Sequence, residues 1–151
     1  MNINKLIKFV FIVFLPIFLG ILISLFINVD LYSSLIKPPL SPPKIIFPIV
    51  WSILYLLMGI SLYTITYEKK ENKVLILYYS QLFFNLIWPI LFFNLRLYLI
   101  STIDIILIIA LLVNMIYEFY KIKKISGFLN IPYLIWLIFA FYLSLGVYIL
   151  N

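Results

Sequence analysis

The chain has 151 residues and a mean hydropathy of +1.22; 66% of its residues are hydrophobic and 11% are charged. Soluble domains carry roughly 25% charged residues, and a chain of this length cannot bury so much apolar surface in a water-soluble core. It contains no cysteine and no histidine, which excludes disulfides and His- or Cys-based triads and predicts that there is no metal site. The composition therefore predicts an integral membrane protein.

Five continuous apolar runs are separated by short polar breaks. About 20 apolar residues cross a bilayer as a helix, and continuous rather than alternating runs do not fit a β-barrel. We predict a single all-α domain over residues 1–151, a bundle of five transmembrane helices. The predicted spans are 6–29, 45–67, 74–94, 99–120 and 127–150.

The first run begins with lysines, as a signal peptide does. Its apolar stretch is about twice the usual length for a signal peptide and no small-residue cleavage site follows, so we interpret it as a membrane helix. Pro16 predicts a kink. Pro16, Gly20, Ser24 and Asn28 recur every four residues, a spacing that favours close packing along one narrow face.

A stiff loop follows, with four prolines in six residues from Pro38 to Pro43. Proline fixes φ and removes a backbone donor, so this segment is not helical and loses little entropy when it is held in place. It leads into a helix that carries Trp51 and Tyr55 one turn apart. A rigid loop ahead of an aromatic helix face predicts a lid over a pocket.

Polar and aromatic side chains share faces in two later spans. Gln81, Asn85 and Trp88 lie on one face of the third span, and Tyr133, Trp136, Ala140 and Ser144 lie on one face of the fifth. Tryptophans commonly form belts at the membrane interface. Unpaired amides in hydrocarbon cost several kcal/mol, so this face must point to protein. The amides either bond to neighbouring helices or line a cavity for a flat ligand.

Asp104 is the one acid well inside the fourth run. The sequence Ser101-Thr102-Ile103-Asp104 fits a capping box, with Asp104 in the first helical turn. We expect this capping role, with a ligand or proton role as the alternative for an intramembrane acid.

The charges predict an orientation. With five spans, the N-terminus and two loops at one end carry eight lysines, and the other end carries only Lys37, Lys44 and Arg96. The positive-inside rule then places the N-terminus in the cytoplasm and the C-terminus outside. We interpret the net charge of +6 as this asymmetry, with the lipid bilayer as partner and no nucleic acid.

The motifs together resemble the TspO/MBR family of tryptophan-rich sensory proteins, which includes the mitochondrial translocator protein. The resemblance rests on the following residues, in family order and spacing: Leu31-Tyr32, Lys37-Pro38, Pro42-Pro43, Val50-Trp51, Leu54-Tyr55, Met58-Gly59, Gln81, Asn85, Trp88, Pro132-Tyr133, Trp136, Ala140 and the final Leu150-Asn151. One departure is Leu31, which is Trp in many members.

The resemblance implies a five-helix bundle, usually a homodimer, in what we expect to be a bacterial cytoplasmic membrane. It implies a cavity under the first loop that binds porphyrins, benzodiazepine-type drugs and, in animal members, cholesterol. Some bacterial members are linked to light-dependent porphyrin breakdown. The pocket residues it implies are Tyr32, Pro42, Trp51, Tyr55, Asn85, Trp88, Trp136, Ala140 and Ser144.

The leading hypothesis is a receptor or sensor for a porphyrin, with no required cofactor. Without His or Cys, tight axial ligation of haem iron is not expected. Lys37, Lys44 and Arg96 are candidates for holding the propionates. The alternatives are a porphyrin-degrading enzyme, which lacks conventional catalytic residues and would act through Trp51 or Trp136, and a tetrapyrrole transporter.

Overall fold

A computed structural model describes residues 3–68 and 72–151, whose regular secondary structure is helical with no strand among them. The helices are α1 (Ile3–Ser24), α2 (Leu31–Ser34), α3 (Ile46–Glu68), α4 (Asn72–Pro89), α5 (Tyr98–Ile122), α6 (Lys124–Phe128) and α7 (Ile131–Leu150), with a π-helical turn, Ile90–Asn94, after α4.

The five predicted spans are confirmed, because five helical segments in the described ranges are long and apolar enough to cross a membrane. The first helix ends at Ser24, five residues before the predicted end, and a series of turns follows it. The last span is made of two helices, α6 and α7, and α7 starts with a proline in its first turn. Lys69 and Lys70 of the predicted lysine-rich loop lie outside the described residues.

Pro89 shapes the end of α4 that lies near the Pro-rich loop. A proline inside a helix cannot donate its backbone hydrogen bond, and the following turn widens to a π-helix over Ile90–Asn94. Hydrogen bonds from Leu95 N to Ile90 O (3.0 Å) and from Leu97 N to Leu91 O (2.9 Å) then close the turn. The closed turn sets Tyr98 as the first residue of α5.

α5 lies at the centre of the bundle, against α4, α6 and α7, whereas α1 packs chiefly on α3. The main core is built from the inward faces of α3, α4, α5 and α7. Its fully buried members include Met58, Leu62, Tyr78, Ile108 and Tyr133. Most of α1 faces outward, with only Val13 and Pro16 buried, as expected for a helix surrounded by lipid.

Close packing of α1 on α3 depends on glycines. A Cβ on Gly59 would overlap the backbone carbonyl of Val13 and lie 2.7 Å from its Cα. A Cβ on Gly20 would lie 2.5 Å from the ring of Tyr55. Small residues let membrane helices approach to backbone contact. The predicted small-residue face of α1 therefore packs against α3 at Gly20, and Gly59 of α3 is the second small residue in this contact.

At the opposite end of the bundle, a buried polar cluster joins α3 to α6 and α7. Ser61 Oγ donates to the Ser126 carbonyl (2.7 Å), and Asn130 Nδ2 donates to Ser61 Oγ (2.7 Å) and to the Ser126 carbonyl (2.8 Å). The Ser126 carbonyl, near the break between α6 and α7, thus finds two partners away from water.

Candidate functional site

A cavity of about 450 Å³ lies between α1, α3 and α4, near the Pro-rich loop. Its lining is mostly apolar, with a few polar groups, which is the usual character of a small-molecule site. α1 contributes Ile17, Gly20, Ile21, Ile23 and Ser24, and the turns that follow it contribute Ile27. The remaining walls come from residues 44–55 of α3 and the loop before it, from residues 85–93 of α4 and its π-helical turn, and from Val29, Tyr32 and Ile108.

Three aromatic side chains, Trp51, Tyr55 and Trp88, form the part of the wall best suited to a flat ligand. Trp51 and Tyr55 lie one turn apart on α3, with ring centroids 5.5 Å apart. Trp88 on α4 is stacked on Phe92 at 4.9 Å. Because these rings are packed against other rings, the aromatic wall is largely preformed.

The base of the cavity is fixed by a chain of buried hydrogen bonds. The Tyr55 hydroxyl donates to Asn85 Oδ1 (2.5 Å), Asn85 Nδ2 donates to the Tyr133 hydroxyl (2.7 Å), and that hydroxyl donates to Gln81 Oε1 (3.1 Å). Gln81 is fully buried and Asn85 is 3% exposed. The prediction that these amides face protein is confirmed, and Asn85 both bonds to neighbouring helices and lines the cavity.

Hydrogen bonds hold the Pro-rich loop in place beside the cavity. The Tyr32 hydroxyl donates to the Pro42 carbonyl (2.8 Å), and Lys37 Nζ donates to the Tyr32 carbonyl (3.0 Å). Burial raises the pKa of the Tyr32 phenol above its ordinary value, so the hydroxyl stays protonated and keeps this bond.

The same loop is bound to α7. The Asn151 side chain accepts from Ile36 N (3.0 Å) and donates to the Ile36 carbonyl (2.8 Å), and the Tyr142 hydroxyl donates to the Pro39 carbonyl (2.9 Å). Gly146 leaves room for the ring of Pro38.

The structure brings half of the predicted site residues together. Five predicted pocket residues and one predicted cation line the cavity: Tyr32, Trp51, Tyr55, Asn85, Trp88 and Lys44. The others do not line it: Pro42, Trp136, Ala140, Ser144, Lys37 and Arg96.

The residues outside the lining have other surroundings. Trp136 packs against Phe47 and Phe139, with ring centroids 6.1 and 5.5 Å away. The Ser144 hydroxyl is bonded to that of Thr102 at 2.8 Å. Arg96 lies in a separate shallow depression beside Tyr148 and Asn151. The wall opposite α3 and α4 is therefore α1, and the predicted wall on α7 lies behind the aromatic layer.

Sequence reasoning missed the α1 wall and the ion pair at the cavity mouth. Lys44 Nζ lies 3.7 Å from Asp30 Oδ1, with both side chains well exposed. The small-residue face of α1 was a signal for the first of these, because Gly20 and Ser24 of that face line the cavity. The pairing of Lys44 with Asp30 had no sequence signal.

The predicted capping role of Asp104 is wrong. α5 begins at Tyr98, so Asp104 lies nearly two turns inside the helix, beyond the four free N–H groups that a cap satisfies. The hydroxyls of Ser101 and Thr102 instead donate to the Tyr98 carbonyl, at 2.9 and 2.8 Å. Asp104 is 8% exposed, and its Oδ2 has no hydrogen-bond partner among the described residues.

Comparisons with known proteins match the chain to one family. The model of the TspO/MBR family matches residues 12–150. A tryptophan-rich protein TspO from Archaeoglobus fulgidus is 37% identical over 105 residues, which are 67% of each chain. One of the same name from Chlorobaculum tepidum is 36% identical over 70% of each chain. Protein CrtK from Rhodobacter capsulatus is 32% identical over 70% of this chain and 69% of its own.

Proposed function

The chain belongs to the TspO/MBR family, and we propose that it is a membrane receptor for a porphyrin or a related flat, apolar ligand. The ligand would occupy the cavity between α1, α3 and α4. The observation that carries the proposal is the preformed aromatic wall of Trp51, Tyr55 and Trp88 in a largely apolar cavity of about 450 Å³. This volume lies within the usual range for small-molecule sites, about 300–1,000 Å³.

The mouth of the cavity supports a ligand with a carboxylate. Lys44 is the cation in the cavity lining. Its partner Asp30 is about 90% exposed at the side chain, and exposed ion pairs contribute at most about 1 kcal/mol. A ligand carboxylate therefore displaces Asp30 at little cost. Lys37 is turned to the Tyr32 carbonyl and ring, so Lys44 is the favoured contact for a propionate.

The test is a titration of the purified protein with protoporphyrin and with haem. Metal-free porphyrin is expected to bind about as tightly as haem, because the chain has no His or Cys to ligate iron. Trp51→Ala should weaken porphyrin binding about tenfold or more, since base or ring stacking on an aromatic side chain contributes about 1–3 kcal/mol.

Trp136→Ala is the matched comparison, because it removes the same side chain behind the aromatic layer. It should weaken binding clearly less than Trp51→Ala. Equal losses in both variants, or a haem affinity orders of magnitude above that of the free base, would contradict the proposed site.

A second candidate function is light-dependent porphyrin breakdown with Trp51 as the redox residue. The arrangement that favours it is the contact of Trp51 with two tyrosines, Tyr55 at 5.5 Å and Tyr133 at 5.8 Å between ring centroids. Illumination of the complex separates the two functions. Bleaching of the porphyrin that is lost in Trp51→Phe supports the enzyme, and a complex that is stable in light supports the receptor.

A further inference from the structure

Besides the mouth beside Lys44, two borders of the cavity can part to admit a ligand, and contacts hold these borders together to different degrees. One route passes under the Pro-rich loop. The other passes sideways from the bilayer, along the line where α1 and the turns after it face α4 and its π-helical turn. We call this line the α1–α4 seam. It is bordered by cavity-lining residues Ile21, Ser24 and Ile27 on one side and Pro89 and Phe93 on the other.

The loop route is held by many contacts. Hydrogen bonds that hold the loop include two between its own residues, at Tyr32, Lys37 and Pro42, and three that join Ile36 and Pro39 to Asn151 and Tyr142. Leu35 is also buried against Phe92 and Val147. Lifting the loop exposes this apolar cluster and breaks the bonds together.

The seam is held much more lightly at its end near the loop. Two hydrogen bonds cross it there in the described part of the chain, and Asn94 makes both. Asn94 Nδ2 donates to the Phe26 carbonyl (2.7 Å), and Asn28 N donates to Asn94 Oδ1 (3.2 Å). Both bonds are exposed, and an exposed hydrogen bond has a small net value.

The packing of α1 leaves it free to move relative to α4, because α1 packs chiefly on α3. Its contact with α3 is continuous, from the rings of Phe9 and Tyr63 (4.9 Å) to the backbone contact at Gly59 and the contact of Gly20 with Tyr55. Its other faces are exposed, with Phe11 at 66% and Phe18 at 59%. A helix that is tightly packed on one neighbour and faces lipid elsewhere can tilt about that one contact.

We propose that a membrane-dissolved ligand enters and leaves the cavity through the α1–α4 seam, with Asn94 as the latch that keeps the seam closed. This inference rests on the proposed function and adds its route and its controlling residue. In this proposal the Pro-rich loop stays in place, and α1 moves when a ligand passes.

The first test measures association and dissociation rates of protoporphyrin with protein in lipid nanodiscs. Asn94→Ala should raise both rates by a similar factor, about tenfold if each exposed hydrogen bond contributes about 0.5–1 kcal/mol, and leave Kd nearly unchanged. Tyr142→Phe, which removes one exposed hydrogen bond of the loop, is the matched control and should change neither rate. Thermal unfolding of both variants checks that the fold is kept.

The opposite pattern overturns the inference: faster exchange in Tyr142→Phe with unchanged rates in Asn94→Ala. A faster dissociation alone in Asn94→Ala also overturns it, because this would mean that Asn94 stabilises only the bound state. Failure of protoporphyrin to bind any variant contradicts the proposed function instead, and the seam is then tested without ligand.

The ligand-free test uses lipids with brominated chains, which quench tryptophan on contact. In a protein with Trp51→Phe and Trp136→Phe, the remaining Trp88 lies behind the seam. Quenching of Trp88 should increase in the additional Asn94→Ala variant and stay unchanged in the additional Tyr142→Phe variant. Equal quenching in all three proteins means that Asn94 does not close the seam.

Discussion

At the scale of single residues, the site depends on side chains that have two partners. Asn85 faces the cavity while it bonds to Tyr55 and Tyr133, so the polar base is fixed by the same bonds that join α3, α4 and α7. Lys44 is held less firmly than Asn85. Its Nζ lies 3.7 Å from Asp30 Oδ1, and the Asp30 side chain is exposed. The buried groups set the shape of the cavity, and the exposed ion pair at its mouth includes the proposed contact for a ligand carboxylate, Lys44.

Asp30 and Lys44 give a prediction at this scale. Asp30→Asn removes the carboxylate that competes for Lys44 and should tighten protoporphyrin binding by up to about fivefold, the equivalent of a weak surface ion pair. Lys44→Gln should weaken it. Affinities of protoporphyrin and its dimethyl ester, measured in parallel, check the charge argument, since the uncharged ester should bind all three proteins alike. A weaker affinity of Asp30→Asn for protoporphyrin contradicts it.

At the scale of elements, α1 forms the cavity wall that the sequence predicted on α7. The aromatic face of α7 points to the buried layer, where Tyr133 contacts Trp51 and Trp136 contacts Phe47. The small-residue face of α1 lies beside the cavity. This arrangement follows from packing, because Gly59 lets α1 reach the backbone of α3 and places α1 opposite α4.

Gly59 therefore tests the placement of α1. Gly59→Val puts a branched side chain where even a Cβ overlaps Val13, and overpacking of this kind costs about 1–3 kcal/mol or more. We expect a lower unfolding temperature in detergent and weaker porphyrin binding. Ile53→Val, which introduces the same residue at an exposed position of α3, is the control and should match the parent protein. Unchanged stability of Gly59→Val shows that α1 does not pack as described.

At the scale of the whole molecule, the two ends of the bundle differ in charge. At the lysine-rich end, the Nζ atoms of Lys73 and Lys121 lie 2.7 and 3.5 Å from Glu118 Oε1. The Lys73–Glu118 ion pair joins the start of α4 to the end of α5. The opposite end carries the loop, the cavity mouth and three cations. The positive-inside rule predicts that the cavity opens toward the outer side of the membrane.

Single cysteines check this orientation, because the chain contains none. In intact cells, a membrane-impermeant maleimide should label Asp30→Cys and should label Lys124→Cys only after lysis. Both positions are exposed, so reagent access is matched within the protein. The reverse pattern would invert the topology and place the cavity mouth in the cytoplasm.

The sequence by itself determined the membrane class, the five spans, the burial of Gln81 and Asn85, and the shared face of Trp51 and Tyr55. These follow from local quantities, namely the apolar length that crosses a bilayer, the periodicity of a helix and the penalty for an unpaired amide in hydrocarbon. Periodicity states which residues share a face, but it does not state which neighbour that face meets.

Only the tertiary structure decided that neighbour. It set α1 opposite α4 through the contact of Gly59 with Val13, left Trp136 behind the aromatic layer, and joined Asn94 to Phe26 and Asn28. It also moved the start of α5 to Tyr98, which removed Asp104 from the cap. The first three depend on contacts between residues far apart in the chain, which no local pattern encodes, and the start of α5 depends on how the π-helical turn after Pro89 closes.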